Sequence, residues 1–98
     1  MKGLLLFVAS ALAFAGDPSS GKVLFQKKCA ICHATDSSER RIGPALKGVK
    51  EGHLPSHRDA TAEAVQKQIE DGGGGMPVFR ELLTKEQKED IVAYVLSL

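Results

Sequence analysis

Cys29, Cys32 and His33 stand together in the pentad CAICH, and those two cysteines are the only ones in the 98-residue chain. Two thiols separated by two residues are, in general, a disulfide or a thiol-exchange pair. An exchange enzyme would set C-x-x-C after a strand in a βαβ unit. Here the pair follows a helical stretch, and no strand-like alternation occurs in the chain. The histidine in fifth place decides between the readings, because C-x-x-C-H is the attachment signature of c-type haem. Both thiols add to porphyrin vinyl groups, and the imidazole that follows is carried to the iron. One turn of chain sets the spacing between the two sulfurs.

Such a pentad supplies one axial ligand and leaves the other to be found. The candidates are Met76, His53, His57, or no side chain at all. Met76 is the only methionine besides Met1, and it sits in DGGGGMPVFR between four glycines and Pro77. Most methionines are flexible core fillers, but core positions are rarely framed in this way. Met76 is therefore the favoured candidate, and Met/His ligation raises a haem potential relative to bis-His. The number of glycines has no explanation at the level of sequence.

These residues need elements to hold them. Asp17 and Pro18 suit the N-cap and first position of a helix running to the cysteines. Gly21, Phe25 and Cys29 recur every four residues and so share one face. TAEAVQKQIEDG reads as a second helix, with an apolar stripe of Ala62, Val65 and Ile69 and a stop at Gly72. Thr84 and Gln87 form a capping box for a third helix, whose stripe is Ile91, Tyr94, Val95 and Leu98. Its Lys85, Glu86, Lys88 and Glu89 are expected to face water. IGPALKGVKEGHLPSHRD reads as loop by its Gly and Pro content. The architecture expected is all-α.

The chain is one domain at most. Lys2, the apolar GLLLFVASAL and the small-residue AFA have the form of a signal peptide over residues 1–15, cleaved near Ala15. That apolar run is shorter than the ~20 residues a membrane span needs, so export to the periplasm or beyond is expected, without a stable membrane anchor. Residues 16–98 then carry twelve basic and twelve acidic residues. This balance gives no basic excess to neutralise phosphates, which argues against nucleic acid as a partner. Phe25, Phe79 and Tyr94 are the aromatics of this segment. A domain this small needs a staple such as a cofactor.

GKVLFQKKCAICH, IGPALKG, MPVF and DIVAYVLSL, in this order and spacing, resemble the monohaem class I c-type cytochromes, especially the short bacterial ones. The resemblance covers the whole segment 16–98. It implies a cytochrome c-like fold, with three to five short helices wrapped around one covalent haem c held by Cys29 and Cys32. It implies that Gly21 lets the first and last helices cross closely beside Tyr94. Pro44 would orient His33 through its carbonyl, Leu46 and Phe79 would pack near the ring, and Arg58 is a candidate donor to the haem propionates. The implied function is one-electron transfer by an exported monomeric carrier with His33/Met76 ligation, and not catalysis. Its partners would be transient redox proteins: a membrane cytochrome complex, terminal oxidase, reaction centre or peroxidase. Lys27, Lys28, Lys47 and Lys50 are candidates for a docking patch. Competing readings are an iron open to peroxide, NO or CO, and a thiol protein without haem.

Overall fold

The computed structural model describes residues 16–98; the expected signal peptide at 1–15 lies outside the described residues. Helix α1 spans Pro18–Lys28, α2 spans Ala62–Asp71 and α3 spans Lys85–Leu96, with one 3-10 turn at Val49–Glu51 in the central loop. Among the described residues there are no strands, only isolated bridges between His53 and Asp59 and between Gly73 and Met76.

Each helix starts where its polar side chains satisfy otherwise unpaired backbone N–H groups. The Asp17 carboxylate accepts from Ser19 N at 3.2 Å, with Pro18 in the first turn. Thr61 Oγ1 accepts from Ala64 N at 3.1 Å to open α2. Thr84 and Gln87 cap each other's backbone at 3.1 and 2.9 Å to open α3. Caps of this kind contribute about 1 kcal/mol each.

Helices α1 and α3 cross at Gly21. A Cβ there would run into the Asp90 carbonyl and stand 3.0 Å from Tyr94 Cβ. One turn along, the Phe25 and Tyr94 rings meet edge to face with centroids 5.3 Å apart. The crossing is fastened at its edge by Asp17 N–H, which donates to the Asp90 carboxylate at 2.8 Å. Phe25, Val49, Val65, Ile69, Leu83, Ile91, Val92 and Val95 form the buried cluster around it.

Two helix-face expectations change. Lys88 is only 9% exposed instead of facing water. α3 packs against both α1 and α2, and the Lys88 ammonium reaches across to the Glu70 carboxylate at 3.1 Å. In α2, Ala62 is exposed, and the buried stripe is Val65 and Ile69 alone, because the first turn of α2 stands clear of the core.

Candidate functional site

The end of α1 turns into the pentad without a break. Cys29 N and Ala30 N both donate to Phe25 O, at 2.7 and 2.9 Å. Cys29 O in turn accepts from both Cys32 N and His33 N at 3.0 Å. The two thiols and the imidazole are thus presented by one tight turn anchored on the core residue Phe25. Burial, and then the neighbouring Cys32, pushes the Cys29 thiol up to about 11.

The loop that follows folds back along this turn. Gly43 N donates to Cys32 O at 2.7 Å, and Leu46 N donates to Ala34 O at 2.8 Å. Between these ties, His33 Nδ1 donates to Pro44 O at 2.7 Å. A carbonyl on Nδ1 leaves Nε2 as the free ring nitrogen and fixes the plane of the ring. Gly43 is required for this approach, since a Cβ there would stand 2.7 Å from His33 Cε1 and 3.0 Å from Nδ1. Arg41 adds a further tie by donating to Ala30 O at 2.9 Å.

On the other wall, α2 stops at Gly72 and the chain turns sharply. Gly73 and Met76 exchange both backbone hydrogen bonds, at 2.9 and 3.0 Å. The two residues between them, Gly74 and Gly75, have φ of 64° and 99°. Positive φ at both central positions is the requirement of a type I′ turn. Gly72 and Gly73 are also left-handed, with φ of 63° and 108°. Four consecutive positive φ values explain the glycine run, because residues with a Cβ resist that region. Gly72 has a second constraint: a Cβ would lie against Met76 O and, at 2.6 Å, Pro77 O. Gln68 Nε2 stands 3.5 Å from Met76 Sδ and 3.1 Å from Gly72 O.

Between these walls lies a cleft of about 470 Å³. Cys29, Cys32, His33, Pro44, Leu46, Met76 and Phe79 all line it. Arg58 is exposed and is not among the lining residues, while Arg40 and Lys28 do line the cleft. His53 and His57 are exposed and likewise do not line the cleft. Sequence reasoning missed Arg40 and Gln68. Arg40 carries no pattern of its own, and Gln68 is found only from its spacing of one turn before Gly72. Among the described residues no three His, Cys, Asp or Glu side chains cluster to hold a bare metal ion. The donors present are two thiols, an imidazole with its Nδ1 occupied, and a thioether. That set, around an apolar cleft, fits a covalently held haem.

Comparison with known proteins gives the same picture. The family described as "Cytochrome C oxidase, cbb3-type, subunit III" matches residues 16–95. Cytochrome c6 of Rippkaea orientalis is 38% identical over 85 residues, covering 87% of this chain and 74% of that protein. Cytochrome c6 of Nostoc sp. is 37% identical over 94 residues, covering 96% of this chain and 82% of that one. The crystal structure of cytochrome c6 from the diatom Phaeodactylum tricornutum superposes with a TM-score of 0.68 at 27% identity. It covers 84% of this chain and 93% of its own.

Proposed function

The chain belongs to the monohaem class I c-type cytochromes, and from that premise we propose that Cys29 and Cys32 hold its haem by thioether bonds while His33 and Met76 ligate the iron. It is an electron carrier with one covalent haem c, which supplies the redox couple as its iron alternates between the ferrous and ferric states. The work of the polypeptide is to hold, orient and shield. Pro44 fixes the His33 ring through Nδ1, and the Gly73–Met76 turn fixes the backbone of Met76. Phe25, Val65, Ile69, Ile91 and Val95 line the inner wall of the cleft and exclude water. Ligands held in this way change little between oxidation states, which keeps electron transfer fast.

The observation that carries this reading is the convergence of both cysteines, His33 and Met76 on a single cleft, with His33 Nδ1 bonded to Pro44 O. A redox-difference spectrum with a potentiometric titration of the holoprotein tests it. One haem c with a low-spin Met/His spectrum and a raised potential is expected; a bis-His or high-spin spectrum overturns the ligand assignment.

The protein acts as a carrier and not as an enzyme. Azide added to the ferric form, or CO added to the ferrous form, should therefore give no rapid spectral change at neutral pH. Residues 16–98 make up the functional domain, exported after cleavage near Ala15; an N-terminus at Gly16 in the mature protein is the expected mass-spectrometric result. No helix among the described residues is long and apolar enough to cross a membrane. Partners dock transiently. Lys28 and Arg40 stand at the cleft, and with the exposed Lys27, Lys47 and Lys50 they suit an acidic partner. Added salt should slow reduction by such a partner.

A further inference from the structure

The segment that carries Met76 begins and ends on oppositely charged residues. Asp71 closes α2, Arg80 lies nine residues later, and their side chains are paired. The Arg80 fork spans two acids: Nη2 donates to Asp71 Oδ1 while Nη1 stands 3.4 Å from Glu70 Oε1. Each acid has another cation. Lys67 Nζ lies 3.0 Å from Asp71 Oδ2, and Lys88 Nζ lies 3.1 Å from Glu70 Oε2. Five charged side chains therefore run in one network from the surface of α2, through Arg80, to the buried ammonium of α3.

Within that frame the chain has few ties of its own. Four glycines lower the cost of alternative conformations. The backbones of Gly73 and Met76 bond only to each other, and the side chain that reaches the turn from α2 is Gln68, at Met76 Sδ and Gly72 O. Beyond Met76 the next backbone tie is Phe79 N to Ile69 O at 3.0 Å. Arg80 follows at once and joins the loop by charge to α2, whose Glu70 is in turn paired with Lys88 of α3. A lone exposed ion pair contributes little, but a forked guanidinium shared by two carboxylates has directional hold that a lysine lacks.

We infer that Arg80 is a positioning residue: through Asp71 and Glu70 it closes the Met76 loop and sets how readily Met76 leaves the iron. This rests on the reading of Met76 as the axial ligand. The loop opens by swinging away from α2, and each opening admits an external ligand.

The test is the rate at which imidazole, buffered where it is uncharged, displaces Met76 from the ferric holoprotein. The weak near-red sulfur-to-iron charge-transfer band reports the bond. If the parent protein lacks that band, the ligand assignment itself has failed, independently of Arg80. If the parent has it, Arg80→Gln should speed displacement about three- to tenfold, in keeping with the loss of a small charge network. Arg80→Lys should fall between the two. Asp71→Asn combined with Arg80→Gln should be less than additive. The urea midpoint should move far less than the displacement rate, which separates positioning from general stability. An unchanged rate in Arg80→Gln, or a rate that rises only in proportion to lost stability, overturns the inference. Should the variant fail to accumulate, added salt on the parent gives the same answer: faster displacement supports the network, and no change refutes it.

Discussion

The Gly21 backbone lies so close to the Asp90 carbonyl that no side-chain carbon fits between them. The approach brings Phe25 against Tyr94 and seals the cluster behind the cleft. Gly21→Ala should therefore force α1 and α3 apart, and a cost of about 1–3 kcal/mol is expected for such overpacking. Urea unfolding of the holoprotein measures it, and a midpoint equal to the parent's would mean that the crossing is looser than described.

Gly43 faces His33 in the same way. In Gly43→Ala the new methyl would meet Cε1 and Nδ1 of the ring, turning it and loosening its bond to Pro44. With His33 as the proposed iron ligand, that bond would make the imidazole a stronger donor and favour the ferric form. Losing it should raise the potential by tens of millivolts, on the scale of about 59 mV per tenfold for one electron. A potentiometric titration decides, and a lowered potential would contradict the role given to Pro44.

The glycines before Met76 should not respond alike. Alanine at Gly74 meets nothing within 4 Å and costs only its left-handed φ, roughly 1–2 kcal/mol. Alanine at Gly72 adds a clash with the Met76 and Pro77 carbonyls. Gly72→Ala should thus be the more destabilised in urea and should exchange Met76 for added imidazole faster than Gly74→Ala. Equal effects would show that strain alone governs the run.

Met76→Ala removes the thioether while leaving CAICH intact. Haem should stay attached, the potential should fall, and CO or azide should bind rapidly. A visible spectrum and potential unchanged from the parent would rule out Met76 as ligand.

Acid should loosen the Met76 loop before it unfolds the domain. The Gln66 amide and then the Lys88 ammonium hold the Glu70 carboxyl below the usual 4.5, and Lys67 and Arg80 hold Asp71 below the usual 3.8. A carboxyl lowered by folding stabilises fully above its unfolded pKa and loses that contribution as pH falls through its folded value. Imidazole displacement of Met76, corrected for ligand protonation, should be flat with pH down to the ordinary carboxylate range and accelerate below it. Acceleration that began near neutrality would point to another group.

The caps and the turn that frame the cleft are legible in the sequence because they are local. CAICH, the Asp17 cap and the Thr84–Gln87 box each depend on residues within a turn of one another. Gly21 with Tyr94 came from the resemblance, since nothing in either residue alone announces a crossing. Lys88 misled because its partner, Glu70, is on another helix, and a charge in an i, i+4 pattern reads as solvated until that partner is found. Val92 and Ala93 are buried as well as Ile91 and Val95: α3 is covered from two sides, which a single stripe underestimates. Arg58 and Arg40 are indistinguishable by type, and only the path of the central loop assigns Arg40 to the cleft.

The run from Gly72 to Gly75 constrains mutation by its backbone hand. Four successive residues follow the backbone hand natural to D-amino acids, and glycine is the only encoded residue indifferent to hand. Every glycine codon begins with two guanines, and changing either one introduces an L-residue or a stop. The stretch therefore has almost no neutral neighbours in sequence space, although at Gly73, Gly74 and Gly75 there is room for a methyl group. At those three positions the constraint is chirality, and drift across this loop should be slower than its exposure suggests.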